Sequence, residues 1–444
     1  MTPSEPAGAR TDPAGPTGDD RSAEPAGRDG VDRSAEPAGP AGLDRAEPTG
    51  LADGGPHRAG RLFTAAGRWR GLAIAVGLLI ATRIGQLVML SWLDGTGRPD
   101  GRLVERLVSW DSGWFLKVAT QGYPAGYSFE NGELAGNGLA FFPVYPLLIR
   151  GVAALGLEAD LAALAVSWTA SVGAAVALHL LGTSLHDRRA GWALVVLCCA
   201  QPMSIVLSMA YSEAVFLALV AGTLVAAHRR AWWAAGLLGF GAAMTRPTGL
   251  AVALAVAAAA LLAVRDHRRA RAAGTAPERI LSPLLAAAAA LAGVPLYLGW
   301  VAWRVGDLDA WFAIQTAGWG TSFDSGANTL RFLGTTFGGG EGWVPISTAL
   351  ILIAALYATV VALFARPWVP LAVYGLTVLV LVYGQAGFYH SKVRLLVPVL
   401  LILLPAAVAA ARARPRVAVP ALAAWALFGL WYGAHMVTVW QYAI

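Results

Sequence analysis

Lysine is almost missing from this chain. Lys117 and Lys392 are the only two among 444 residues, although arginine is plentiful. Charged residues of all kinds make up 14%, where a soluble domain carries roughly a quarter. That shortage excludes an ordinary soluble globular chain. Cysteine is nearly absent too. Cys198 and Cys199 are adjacent inside an apolar run, point apart on a helix and lack a Cys-x-x-Cys spacing. They read as packing rather than as a disulfide or a metal pair. No set of His, Cys and carboxylate residues has metal-ligand spacing. The glycine run Gly338-Gly339-Gly340 lacks the Gly-Lys-Ser/Thr ending of a nucleotide loop.

What the chain does have is apolar length: 57% of its residues are hydrophobic. Runs of ~18 or more apolar residues recur, each long enough to cross a bilayer as a helix. They are continuously apolar and rich in Ala and Leu, whereas barrel strands alternate apolar with polar. The fold class is therefore an all-α polytopic membrane protein. About eleven membrane helices are predicted, over 71–93, 161–182, 190–208, 211–227, 232–246, 248–264, 283–303, 344–364, 368–384, 394–411 and 417–438. Ahead of this domain (61–444), residues 1–60 form a tail of Pro, Ala, Gly, Asp, Glu and Arg. In it Asp20-Arg21-Ser22-Ala23-Glu24-Pro25-Ala26-Gly27 recurs at 32–39. With few large apolar residues it cannot offset its ordering entropy, so disorder is expected. It has neither the apolar core nor the early charge of a signal peptide. The heavy use of Arg, Ala, Gly and Pro points to a GC-rich, bacterial genome.

The charges fix an expected sidedness. Residues 1–70 hold nine Arg against eleven Asp and Glu, so −2, and the remainder carries +8. Positive charge in short loops speaks to topology and anionic headgroups, not to nucleic acid. Basic turns at 186–189, 228–230, 265–279, 366 and 412–416 are cytoplasmic by the positive-inside rule. Arg58, Arg61, Arg68 and Arg70 place the N-terminus inside as well. Residues 94–160 then lie outside, with 140–157 a re-entrant or interfacial helix; the rival arrangement makes 140–157 a true span. Loop 304–343 lies outside too. So do Asp111, Glu213, Arg246, His390 and both lysines.

Five places on that face invite chemistry. Asp111 sits in Ser109-Trp110-Asp111-Ser112-Gly113-Trp114-Phe115. A loop carboxylate is by default solvated and idle, but aromatic surface at membrane level makes its charge costly without a partner or a task. There it can accept a proton from an attacking hydroxyl. Glu213 follows Ser212, which reads as a helix N-cap with the acid in the favourable first turn. The other reading has Glu213 orient a substrate hydroxyl or a basic partner. Arg246, before Pro247 and Gly249 in a long apolar stretch, either snorkels from a turn or lines a cavity at a broken helix. His390, Lys392 and Arg394 crowd one segment. They serve as an interfacial anchor or, being positive on the outer side, as a binding site for a lipid phosphate. The fifth is Tyr145, in Phe141-Phe142-Pro143-Val144-Tyr145-Pro146.

Four segments, in order, resemble the PIG-V-like mannosyltransferases: Trp110-Asp111 with Gly122-Tyr123, the stretch 141–146, Pro202 through Tyr211-Ser212-Glu213-Ala214 to Phe216, and Arg246-Pro247-Thr248-Gly249-Leu250. The family's turn commonly reads Arg-Ser-Asn-Gly where this chain has Arg-Pro-Thr-Gly. The resemblance spans roughly 70–411. It implies a GT-C membrane glycosyltransferase bundle whose long first outer loop, 94–160, is catalytic and contains interfacial helices. It further implies a polyprenyl-phosphate sugar donor and Asp111 as the catalytic base. Trp110, Tyr145, Glu213, Arg246, His390, Lys392 and Arg394 are the candidate substrate-binding residues. The expected activity is inverting transfer of mannose at the outer membrane face to a lipid, glycan or protein hydroxyl. No cofactor is required on this reading; a divalent cation stays open. Membrane lipids are the other partners and the plasma membrane the expected location. Another donor sugar on the same fold, or a transporter or lipid flippase, are the alternatives, though no internal repeat of a transporter stands out.

Overall fold

The structure, a computed structural model, describes residues 65–95, 103–275, 280–440, 442 and 444. The expected disordered tail, 1–60, falls outside them. In hydrocarbon each main-chain N–H and C=O must be paired within its own segment. The Ala-, Leu- and Val-rich runs accordingly fold as helices. Six are long and apolar enough to cross a membrane: α1 (Ala65–Asp94), α5 (Ala159–Leu185), α9 (Gly249–Ala272), α10 (Leu281–Val305), α13 (Trp343–Phe364) and α17 (Pro415–Thr438). A seventh candidate is bent by 58°: α15 (Lys392–Leu395), preceded by a 3-10 turn, followed by α16 (Leu400–Arg412).

The remaining predicted spans are helical but short: α6 (Arg188–Cys199), α7 (Glu213–His228), α8 (Trp232–Ala243) and α14 (Val369–Gly384). All eleven predicted segments thus contain helix, while six or seven among the described residues meet the length of a full span. The largest departure is 190–208. Its helix stops at Cys199, and residues 200–212 run as buried irregular chain with one 3-10 turn, Ser204–Leu207. Gln201-Pro202 is the cause, because a residue before proline is pushed out of the α region. Conversely, α9 runs past 264 to Ala272, so several of the arginines expected in a loop sit on a helix extension.

The 94–160 segment holds α2 (Leu103–Leu107), α3 (Ser112–Gln121), a two-stranded hairpin of β1 (Ser128–Glu130) and β2 (Glu133–Ala135), and α4 (Val144–Ala153). The hairpin turns on Asn131-Gly132, with φ 52° and 87°, the sense that antiparallel strands prefer. At ten residues, α4 is roughly 15 Å long, about half a bilayer core. It is shorter than a full span, as are α6, α7, α8 and α14. Loop 304–343 forms α11 (Ala310–Trp319) and α12 (Ala327–Phe337).

These two long segments pack on each other. Arg304 donates to the carbonyls of Pro124 and Tyr123, and Gln315 to that of Ala140. Tyr127 donates to Asp307 at 2.6 Å, a bond that lowers the Asp307 carboxyl and raises the Tyr127 hydroxyl to about 12. Gly136 meets Gly318 so closely that a Cβ on Gly136 would lie 2.5 Å from the Gly318 Cα. At other turns the basic residues gather: Arg230 pairs with Asp266 at 2.7 Å and Arg229 donates to Ser184.

Candidate active site

Asp111 is delivered by a backbone turn. Trp110 sits at φ 55°, a left-handed conformation costing roughly 1–2 kcal/mol for a residue with a Cβ. The turn is held by Tyr211, whose hydroxyl accepts from the Asp111 N–H at 3.3 Å and donates to Ser109 O at 3.4 Å. Asp111 directly precedes α3, yet its side chain does not cap that helix. Instead its Oδ2 accepts from Arg394 Nη1 at 2.8 Å.

Arg394 lies across the site. The same Nη1 donates to the main-chain oxygen of Ile444 at 2.7 Å, and Nε lies 3.4 Å from Glu213 Oε1. Its guanidinium also sits 5.3 Å from the centre of the Tyr211 ring. Glu213 in turn contacts Arg246, whose Nη1 is 2.7 Å from Oε1. Ser212 does precede the first residue of α7, but its hydroxyl accepts from Arg246 at 3.0 Å rather than capping the helix. Arg246 is brought there by the tight turn between α8 and α9. A Cβ on Gly249 would lie 2.4 Å from the Ala243 Cα, so only glycine allows that approach. Four charges from four places in the sequence thus form one chain: Asp111, Arg394, Glu213, Arg246.

The buried irregular stretch 200–212 carries Tyr211 and Glu213 into place. Its carbonyls find side-chain partners, as main chain at membrane depth requires. Arg83 of α1, itself buried, donates to Ser204 O and the Ser208 hydroxyl and contacts Cys199 O. Ser171 donates to Leu207 O, Trp168 to Ser208 O and Ser167 to Tyr211 O.

All four charges face a cavity of about 400 Å³. Lys392 lines it as well, buried to 2% exposure, with Nζ donating to Val382 O at 2.8 Å and Gln385 O at 2.6 Å. Most of the remaining wall is apolar and aromatic, including Phe141, Trp311, Trp319 and Phe323. The other predicted residues lie elsewhere. Tyr145 is in the core, bonded to Ser167 and Ala163 O, with its ring against Phe115. His390 is buried among Phe388, Tyr389, Trp440 and Tyr442. Trp110 forms the turn and does not line the cavity. Sequence reasoning missed Gln315, Trp319, Ser322 and Gln385, all on the lining. Gln315 and Trp319 lie on α11, while Ser322 and Gln385 sit in chain without periodicity that the pairing of the Phe323 and Gln385 backbones brings together. Among the described residues no three His, Cys, Asp or Glu side chains cluster as a metal site.

Residues 99–266 match the family described as Mannosyltransferase (PIG-V). The chain is similar to GPI alpha-1,6-mannosyltransferase 2 of Rattus norvegicus, 37% identical over 164 residues, which is 34% of this chain and 31% of that protein. It is also similar to GPI mannosyltransferase 2 of Drosophila melanogaster, 30% identical over 137 residues, 28% of each chain. The match therefore spans about a third of these relatives' length. Among solved structures, the apo oligosaccharyltransferase of Archaeoglobus fulgidus aligns with 85% of this chain and 56% of that one, at 13% identity and a TM-score of 0.44. The matched region contains Asp111, Tyr145, Glu213 and Arg246. Residues 99–266 are thus where the chain is similar to the PIG-V mannosyltransferases.

Proposed function

We propose that this protein is a membrane mannosyltransferase that moves the sugar of a polyprenyl-phosphate donor onto an acceptor hydroxyl. The observation that carries the reading is the shared cavity: two carboxylates, Asp111 and the nearly buried Glu213, and three cations, Arg246, Lys392 and Arg394, face a largely apolar, aromatic space. An amphiphile with one anionic group and a long apolar chain suits such walls. The acceptor O–H gives its proton to Asp111 as its oxygen bonds to the anomeric carbon. The bond from that carbon to the phosphate oxygen breaks on the opposite side, so configuration inverts. The prenyl phosphate leaves with the bonding pair, its charge met by the cations. Side chains thus take the role a cofactor would otherwise fill, and Trp110 and His390, off the cavity lining, do not touch the sugar. The proposed setting is a plasma membrane with the N-terminus cytoplasmic and the cavity opening outward. A lipid, glycan or protein is the acceptor.

The test is purified protein presented with a panel of polyprenyl-phosphate sugars. Mannose transfer that survives EDTA and is lost in Asp111→Asn is expected. Preference for arabinosyl or glucosyl donors would keep the fold and change the sugar. Transfer by Asp111→Asn at the normal rate would end the assignment of the base.

A further inference from the structure

Sequence alone reads Glu213 as a helix-start acid, or as a residue that orients a substrate hydroxyl or a basic partner. It is the first residue of α7, and two basic partners meet it. The residue is 3% exposed, which leaves it almost no surface to offer a substrate. Arg246 Nη1 lies 2.7 Å and Arg394 Nε 3.4 Å from the same oxygen, Oε1. Two guanidinium groups that meet at one atom repel each other unless a carboxylate stands between them. Arg394 goes on to reach Asp111 with Nη1, and the Arg246 Nη1 that meets Glu213 also donates to Ser212.

We infer that Glu213 is a positioning residue: it holds Arg246 and Arg394 at the angles from which they receive the phosphate of the lipid donor. The inference rests on the anion-binding reading of the cavity given above. It separates cleanly from simple charge balance. The cavity lining carries three cations against Asp111 and Glu213 among the described residues. Removing the Glu213 charge makes the site more positive, so Coulomb attraction alone would tighten an anion. A positioning role requires the reverse, because released arginines no longer share one geometry.

Farnesyl phosphate serves as the probe, with farnesol as the phosphate-free control. Binding to the purified, detergent-solubilised full chain is read by calorimetry, and folding by the melting temperature. The wild type should bind farnesyl phosphate well above farnesol. Glu213→Gln should weaken farnesyl phosphate about 10-fold or more, the value of one charge-assisted hydrogen bond, despite the added positive charge. Glu213→Asp, which keeps the charge on a shorter arm, should recover part of the loss and covers the case in which Glu213→Gln does not fold. Placed on Arg246→Met, Glu213→Gln should add little, since the two act as a unit. Equal or tighter binding by Glu213→Gln overturns the inference. So does a loss that is additive with Arg246→Met and tracks the fall in melting temperature, which marks a structural residue. Failure of the wild type to prefer farnesyl phosphate over farnesol overturns the anion-site reading itself. Wild-type binding with an indifferent Glu213→Gln overturns only the role given to Glu213.

Discussion

Arg394 and Asp111 are 283 residues apart in sequence and 2.8 Å apart in space. Arg394 also reaches Glu213 and the backbone of Ile444, so its planar fork matters as much as its charge. Arg394→Lys should therefore not be conservative: turnover should fall about 10-fold or more, measured with a polyprenyl-phosphate mannose donor, since a point charge cannot span both carboxylates. Asp111→Asn keeps the shape and removes the base, and should slow transfer by ~10²–10⁴-fold with donor binding retained. Normal turnover by either variant would contradict the part assigned to that residue. Asp111, Glu213, Arg246 and Arg394 were each legible in the sequence, because a charge at membrane depth is costly enough to demand a reason. Their pairing was not legible, because ion pairs across such separations leave no periodicity. Lys392 shows the same gap. Its burial beside two carbonyls of the α14 end gives it a structural task that no local pattern announces.

At the scale of elements, the unwound stretch 200–212 matters most, because it sets where Tyr211 and Glu213 stand. Arg83 supports it from α1. Arg83→Met would leave buried carbonyls without a donor, at about 1–3 kcal/mol for each group. The expected result is a clear fall in melting temperature together with reduced transfer. Arg230→Met makes the contrast: its pair with Asp266 is about half exposed, and such pairs contribute ~0–1 kcal/mol. Similar losses in the two variants would contradict the supporting role of Arg83. Hydropathy found where each helix lies but not where it breaks. Proline was a partial signal only. Pro202 and Pro398 fall in breaks, whereas Pro295, Pro405 and Pro420 lie inside helices. What separates them is whether neighbouring side chains accept the freed backbone groups, which is a tertiary fact.

Across the whole molecule the two long segments, 94–160 and 304–343, pack together, as Tyr127 with Asp307 and Arg304 with Pro124 show. Basic turns from three other segments gather through Arg229, Arg230, Ser184 and Asp266. The charge rule read from sequence wants the basic turns cytoplasmic, and on that expectation both long segments, with Asp111, lie outside. Cysteine labelling tests this on a background in which the buried Cys198 and Cys199 are replaced. Glu130 in the hairpin and Arg269 on α9 are both exposed, so substitution there should disturb packing little. Glu130→Cys should react with a membrane-impermeant maleimide on intact cells, and Arg269→Cys only after permeabilisation. A second check uses pH from outside. The bond from Tyr127 lowers the Asp307 carboxyl, so its contribution to docking is present above the unfolded carboxylate value and lost as pH falls through the lower folded one. Acidifying the medium to pH 5 should therefore leave the hairpin docked and the labelling of Glu130→Cys unchanged. If Glu130→Cys labels only in permeabilised cells, the orientation is reversed. The donor and acceptor would then have to reach Asp111 from the cytoplasm.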